Sequence, residues 1–421
     1  MKQTLLIAVI CTLAADLAAC ANPERVNLPK GDMTAWIGEL PTTLKSGAKL
    51  PQIDETAPRA QLVAGDWSRF RRVFEKLDRG DSLRIAAIGG SITQGAGATQ
   101  KENRWGEKFA AGWRRAFPNC KIEFINAGIG ATGSDIGAFR VQRDVIAHKP
   151  DVVVVEFAVN DGPGKNWAES YEGVIRQLLN APGQIAVIQL AMVASAGNNS
   201  QEWQQKVAEH YRIPFVSYRD ALYFPYVREG TIKWSDISPD TVHPNDAGHA
   251  YAAALLNWTI EKHYRQFKNN ASQKIVTSAI PQPLFGTRFD KGNFLSIKDL
   301  KITANNGFFP LKDNCWGEGL ACTNANGRLI MEIEGSTIAL LYRCGNKPYN
   351  WGKIAVKIDG QTVADSLDCY RDQWWWYTPS LFLCRGKPGK HIVEVETKAD
   401  KNPKSAGYGC HITGILATEN E

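Results

Sequence analysis

The chain has no long hydrophobic run. Its most apolar stretch, Leu5 to Ala15, is 11 residues long, against the ~20 needed to span a bilayer. Any membrane attachment therefore has to come from a lipid rather than a spanning helix. Charge of one sign is equally unclustered. The 49 Lys and Arg face 43 Asp and Glu, and the net charge of +6 is scattered without a basic run. That excludes nucleic acid as the implied partner. No Gly-x-Gly-x-x-Gly or Walker pattern occurs, so no phosphate cradle is expected. His249 follows His243 with Asp246 between them, but this is not a standard zinc spacing. Neither a metal nor another cofactor is expected. Repeats and low-complexity tracts are absent. Cysteine is scarce before residue 310, where only Cys11, Cys20 and Cys120 occur.

What is present begins with an export signal. Lys2 supplies the positive start, and Leu17-Ala18-Ala19-Cys20 follows the apolar stretch. Small residues before a cleavage point mark secretion. The Leu-Ala-Ala-Cys ending resembles the bacterial lipobox, which implies cleavage before Cys20, lipidation of its thiol and a lipid-anchored protein on a bacterial membrane. An ordinary signal peptide with an incidental Cys is the alternative. The late cysteines, Cys315, Cys322, Cys344, Cys369, Cys384 and Cys410, are even in number and confined to one region. In an exported protein that predicts up to three disulfides, of unspecified pairing. Cys120 stands alone and reads as a small core residue.

The pattern divides the chain into a signal (1–19), a proline-bearing tether and irregular lead-in (20–65), an α/β region (66–265), a polar linker (266–284) and a β-rich region (285–421). Asp66 is a candidate N-cap for a helix over Trp67–Leu77. Strands are expected at 83–88, 122–126, 151–159, 185–192 and 214–218, alternating with helices at 105–117, 168–179, 201–211 and 246–264. The run Asp-Val-Val-Val-Val at 151–155 suits a strand buried on both faces of a parallel sheet. Strands alternating with helices predict a doubly wound α/β fold. Beyond residue 285, period-two segments at 329–333, 337–342, 353–358 and 391–396, with turns at Asp359-Gly360 and Pro388-Gly389, predict a β-sandwich or jelly roll.

The chemistry sits at strand ends. Gly89-Gly90-Ser91-Ile92-Thr93 follows the first strand, Asn126-Ala127-Gly128 ends the second, Asn160-Asp161 ends the third, and Asp240-Thr241-Val242-His243 precedes the last helix. In a doubly wound sheet the first three converge at one edge. A serine hydroxyl needs an adjacent base. His243 can take its proton, and Asp240, three residues earlier, can hold the imidazole tautomer. Backbone N–H groups of Ser91 and Gly128 and the Asn160 amide are candidate oxyanion donors. Thr93 stands where Gly-x-Ser-x-Gly would have its second glycine, which excludes an α/β-hydrolase elbow.

These four blocks, in this order, resemble the SGNH (GDSL-like) hydrolase superfamily. Gly90 stands where many members have Asp, a variant shared by carbohydrate esterase branches. The resemblance implies a three-layer α/β/α sandwich and an acyl-enzyme route with no cofactor. It also implies a serine esterase that removes acetyl or other small acyl groups from a polysaccharide or glycan. A lipase, thioesterase or O-acyltransferase on the same site is an alternative, and so is a non-catalytic glycan-binding lipoprotein. Arg140 and Arg143 are candidates for substrate contact, weighed against ordinary solvated helix arginines. In the smaller C-terminal region the run Gln373-Trp374-Trp375-Trp376-Tyr377 would suit sugar rings, weighed against a packed core held by disulfides.

Overall fold

The computed structural model describes residues 34–41, 43–269, 279–346, 351–372 and 378–419, with backbone alone for 378–385. The signal, Cys20 and the aromatic run at 373–377 lie outside the described residues. Residues from Thr34 onward form one compact unit.

The first sheet has six strands: β1 (Gln61–Val63), β2 (Leu83–Gly89), β3 (Ile122–Gly128), β4 (Val152–Glu156), β5 (Ala186–Ala191) and β6 (Phe215–Ser217). Their order is β1-β6-β5-β4-β2-β3. All neighbours are parallel except β1, which runs antiparallel to β6. Every residue of β4 and β5 is buried, Glu156 and Gln189 included, as in strands covered on both sides.

Helices α1 (Thr34–Ile37), α2 (Ile53–Ala60), α3 (Ser68–Arg79), α4 (Ser91–Gln94), α5 (Trp105–Ala116), α6 (Ser134–Asp144), α7 (Lys165–Asn180), α8 (Gln201–Tyr211), α9 (Trp234–Ile237) and α10 (Asp246–Asn269) complete this half. One group contains α1, α3, α5 and α10, and the other contains α6, α7 and α8. This is the three-layer α/β/α sandwich. The helix α3 begins one residue later than expected, with Trp67 at the N-cap position; Asp66 stands just outside it and accepts the Ser68 N–H on Oδ1 at 2.8 Å.

The lead-in is more ordered than its prolines imply. Ile53, Thr56, Ala57 and Ala60 bury one face of α2 despite Pro58 within it. The chain then adds β1 to the sheet edge.

The strands of the second half pair antiparallel. It comprises β7 (Gly292–Leu295), β8 (Lys301–Asn306), β9 (Phe309–Asp313), β10 (Gly317–Cys322), β11 (Arg328–Cys344), β12 (Lys353–Ile358), β13 (Gln361–Asp368), β14 (Thr378–Thr397) and β15 (Cys410–Thr418). The segments read as separate strands at 329–333 and 337–342 are one strand, β11. It pairs with β8 in its first part and with β15 in its second. Its register against β14 shifts between Gly335 and Thr337. A bulge of this kind bends a strand and lets the sheet fold over itself into a sandwich. Asp359-Gly360 is the expected turn, with both φ values positive at 51° and 78°, as a tight hairpin demands. Pro388-Gly389 is not a turn: β14 runs through it, with Gly389 opposite Gly335.

The two halves share a core. Phe139, Tyr171, Val174 and Leu178 pack in one cluster with Phe289, Phe294, Trp316, Leu341 and Leu416. The segment leading into β7 is docked rather than loose. Glu172, fully buried on α7, accepts the backbone N–H groups of Leu284 (2.5 Å), Phe285 (2.7 Å) and Gly286 (3.3 Å). Gln177 Nε2 donates to the Ala138 and Phe289 carbonyls at 2.6 and 2.7 Å. Arg176 pairs with Asp290.

No disulfide joins Cys315, Cys322, Cys369 and Cys410 to one another in this structure. All but Cys315 are buried. Cys120 is buried as well, with its thiol on the Leu77 carbonyl.

Candidate active site

The site is assembled at the carboxyl ends of β2, β3 and β4. The strand order reverses about β2, and such a switch point opens a crevice. Ser91 is the first residue of the short helix α4, directly after β2. The two glycines before it are dictated by space. A Cβ on Gly89 would lie 2.1 Å from Thr93 Oγ1, and one on Gly90 would lie 2.1 Å from Asn160 Oδ1. The absence of Asp at position 90 therefore makes room for the Asn160 carboxamide. Gly95, at φ 105°, closes α4 in a left-handed conformation that suits glycine.

His243 Nε2 stands 2.9 Å from Ser91 Oγ, and His243 Nδ1 stands 2.8 Å from Asp240 Oδ2. With the Nδ1 hydrogen donated to the carboxylate, Nε2 is left to accept the serine proton. Asp240 Oδ1 accepts the N–H groups of Val242 and His243, each at 2.7 Å. Burial pushes the Asp240 carboxyl upward, but these N–H groups and the imidazole outweigh it, and the group is held below its usual range. The turn is braced from behind. Trp234 Nε1 donates to the Asp240 carbonyl at 2.5 Å, and Ser238 Oγ lies 2.8 Å from that oxygen and 2.6 Å from the His243 carbonyl.

Asn160 lies in the loop after β4. Its Oδ1 is buried without a partner, and no hydrogen bond among the described residues occupies its Nδ2. Asp161 anchors this loop. It is buried, accepts the Ser134 N–H (2.7 Å) and Gln204 Nε2 (3.1 Å), and has its carboxyl pushed well up, mainly by burial.

Gly128 does not offer its N–H to the site. That group donates to Asn126 Oδ1 at 2.9 Å, while Asn126 Nδ2 donates to the Thr93 carbonyl, also at 2.9 Å. Asn126 thus ties β3 to the nucleophile turn, and Gly128 packs against the backbone of Thr93 and Gln94. The residue that faces Ser91 is Gly130, where a Cβ would sit 3.8 Å from Ser91 Cβ. The next residue, Ala131, is held at φ 58°. No hydrogen bond among the described residues takes its N–H, or that of Ser91. Sequence reasoning missed Ala131 because alanine gives no signal of a left-handed backbone.

Neither arginine contacts the site. Arg140 is fully buried. Its guanidinium donates to the Ala127 carbonyl (2.6 Å), the Gly89 carbonyl (2.8 Å) and Asp144 (3.2 Å). It satisfies the ends of β2 and β3 instead of facing substrate. Arg143 pairs with Asp144 and lies over the Phe294 ring at 3.9 Å, joining α6 to β7.

His249 and Asp246 are committed elsewhere. His249 Nδ1 accepts the Trp105 N–H (3.3 Å), Nε2 meets the Ala96 carbonyl (3.1 Å), and Asp246 holds Thr99 and Asn103. Together they pin the loop that carries Gly97 against His243. Burial lowers His249 to about 4, keeping it neutral. Beneath the nucleophile turn, Glu156 Oε2 accepts Thr93 Oγ1 at 3.0 Å. Glu156 is fully buried, which pushes its carboxyl up to about 7.

Residues 87–251 match the GDSL-like lipase/acylhydrolase family. The matched stretch contains Ser91, Asn160, Asp240 and His243. Two solved structures resemble nearly all of the chain. One is a two-domain esterase (CEX) active on acetylated mannans, at 27% identity and TM-score 0.79, covering 87% of this chain and 99% of that one. The other is the same esterase co-crystallised with mannopentaose, at 27% identity and TM-score 0.78, covering 87% and 98%. No match is found among the curated proteins.

Proposed function

We propose that this chain is an exported carbohydrate O-acetylesterase in which Ser91 is the nucleophile, His243 the general base and then acid, and Asp240 the residue that orients it. The hydrogen-bonded series Asp240–His243–Ser91, with both links under 3 Å, carries the reading. Ser91 Oγ attacks the acyl carbonyl while His243 Nε2 takes its proton. The tetrahedral oxyanion is received by the N–H of Ser91, Asn160 Nδ2 and the N–H of Ala131. Collapse expels the sugar hydroxyl, which recovers the proton from His243. Water, deprotonated by His243, then attacks the acyl-serine and releases acetate. Asp240, held ionised by its three hydrogen bonds, stabilises the imidazolium at both steps.

The likeness to an acetyl-mannan esterase extends over both halves and supports a mannan-type glycan as substrate. The site is also open: the Asp240 side chain is 50% exposed and that of His243 18%, which suits a small acyl group on a polymer. The test is acetate release from acetylated mannan by the wild type and by Ser91→Ala. The wild type should release acetate and the variant none. Hydrolysis confined to long-chain esters or thioesters would favour a lipase or thioesterase instead.

Export and lipidation rest on the sequence around Cys20. Cys20→Ala should move the protein from the membrane fraction to the soluble one, read by fractionation and blotting. In an oxidising compartment the late thiols are expected to pair. Cys322 and Cys410, register partners on β10 and β15, are the first candidates, checked by mass spectrometry of unreduced protein.

A further inference from the structure

Trp167 stands in the first turn of α7, after the loop that carries Asn160. Its indole is slotted between two glycines. A Cβ on Gly133 would lie 2.6 Å from Trp167 Cζ3, and one on Gly162 would lie 2.6 Å from its Nε1. Gly133 belongs to the loop that passes Gly130 over Ser91. Gly162 belongs to the loop of Asn160. The backbones that present two of the three candidate oxyanion donors, Ala131 and Asn160, thus also grip this ring.

Yet the ring is not consumed by packing. Trp167 is partly buried, unlike the fully buried Trp105 and Trp113. Among the described residues no other aromatic ring or cation stacks on it. Its N–H has no hydrogen-bond partner, and it is not among the buried unsatisfied atoms, so it meets solvent. A large aromatic with a flat face and a free donor, held by the loops that carry Gly130 and Asn160, is built to take a ligand that is apolar on one face and hydroxylated at its rim. A pyranose ring has that character.

We propose that Trp167 is the platform on which the ester-bearing sugar stacks, its N–H donating to a sugar hydroxyl while the acyl carbonyl reaches Ser91 and Asn160. This rests on the carbohydrate-esterase reading above.

The experiment compares the wild type with Trp167→Ala, Trp167→Leu and Trp167→Phe on acetylated mannooligosaccharides and on 4-nitrophenyl acetate. Leucine fills the slot without a flat face, and phenylalanine restores the face without the donor. Loss of one well-placed stacking contact should raise the KM for the oligosaccharide about tenfold in the Ala and Leu variants. The ratio of kcat/KM for glycan to that for the small ester should fall by the same factor, and Phe should recover most of it. An unchanged ratio in both Ala and Leu variants overturns the platform, as does a parallel loss on both esters, the mark of a purely structural ring. Should the wild type release no acetate from any acetylated glycan, the esterase reading fails and takes the platform with it. Wild-type release with unaffected variants removes the platform alone.

Discussion

At the scale of single residues, the site makes unequal demands on its members. Asn160→Ala should lower kcat by about 10²–10³, the usual loss for one oxyanion donor, with KM little changed; steady-state kinetics on an activated acetyl ester checks this. Gly90→Ala should do similar harm without touching a reacting atom, since its methyl would strike the Asn160 carboxamide. Misplacement of that order costs about 10²-fold. The double variant should lose little more than Asn160→Ala alone, because both changes remove the same donor; additive losses would show that Gly90 acts otherwise. Glu156 sets a different test. Its folded value of about 7 lies above the ordinary 4.5, so the folded state keeps a proton that the unfolded chain releases. Its destabilising contribution therefore grows as pH rises from 4.5 to 7 and is constant above that. Glu156→Gln should match the wild type near pH 4 and exceed it by up to about 3 kcal/mol near pH 8, measured by urea unfolding. Ser91 and Asn160 were legible as candidates because each stands in a short block at a strand end, and Asp240 and His243 because their block directly precedes the last helix. Arg140 was not, because a charged residue on a helix reads as solvated until the carbonyl ends of β2 and β3 are seen to need its donors.

At the scale of elements, the docked segment ahead of β7 is the least legible part of the fold. Its prolines and polar residues read as a linker, and locally nothing contradicts that. What orders the stretch from Ile280 is a carboxylate more than 100 residues earlier, together with Arg176 and Gln177 on the same helix. Glu172→Gln would turn an amide donor toward backbone donors. Leaving such buried N–H groups unsatisfied costs about 1–3 kcal/mol each, so the denaturation midpoint should fall clearly, while kcat on a small ester should change little at temperatures where the variant is folded. The strands behave alike. Alternation revealed most of β11, the whole of β12 and the last part of β14, but β7 to β10, β13 and β15 went unread. Every residue of β15 is buried, so it shows no alternation. All six residues of β8 are exposed, so it shows no buried face. Period two appears only where one face of a strand meets water and the other does not. The α/β half was the easier to read because its parallel strands and amphipathic helices alternate in the order that the sheet uses.

At the scale of the whole molecule, the cluster that joins α6 and α7 to β7, β11 and β15 decides what the C-terminal half can be removed from. Truncation after residue 268 would expose Phe139, Tyr171 and Leu178 and leave Glu172 without its three backbone partners. The shortened protein should aggregate or lose activity on small and polymeric esters together. Soluble, fully active truncated protein would mean that the α/β half closes its own surface. The same shared cluster bears on how the molecule melts. Two separately folded halves would give two heat-absorption peaks, each moving independently with mutation. Here the side chains that close one half are the floor of the other, so neither can lose its packing first. Scanning calorimetry should record a single endotherm over residues 34–421, with calorimetric and van't Hoff enthalpies in agreement. A substitution such as Leu416→Ala, far along the chain from Ser91, should shift that one peak and the temperature of activity loss by the same number of degrees.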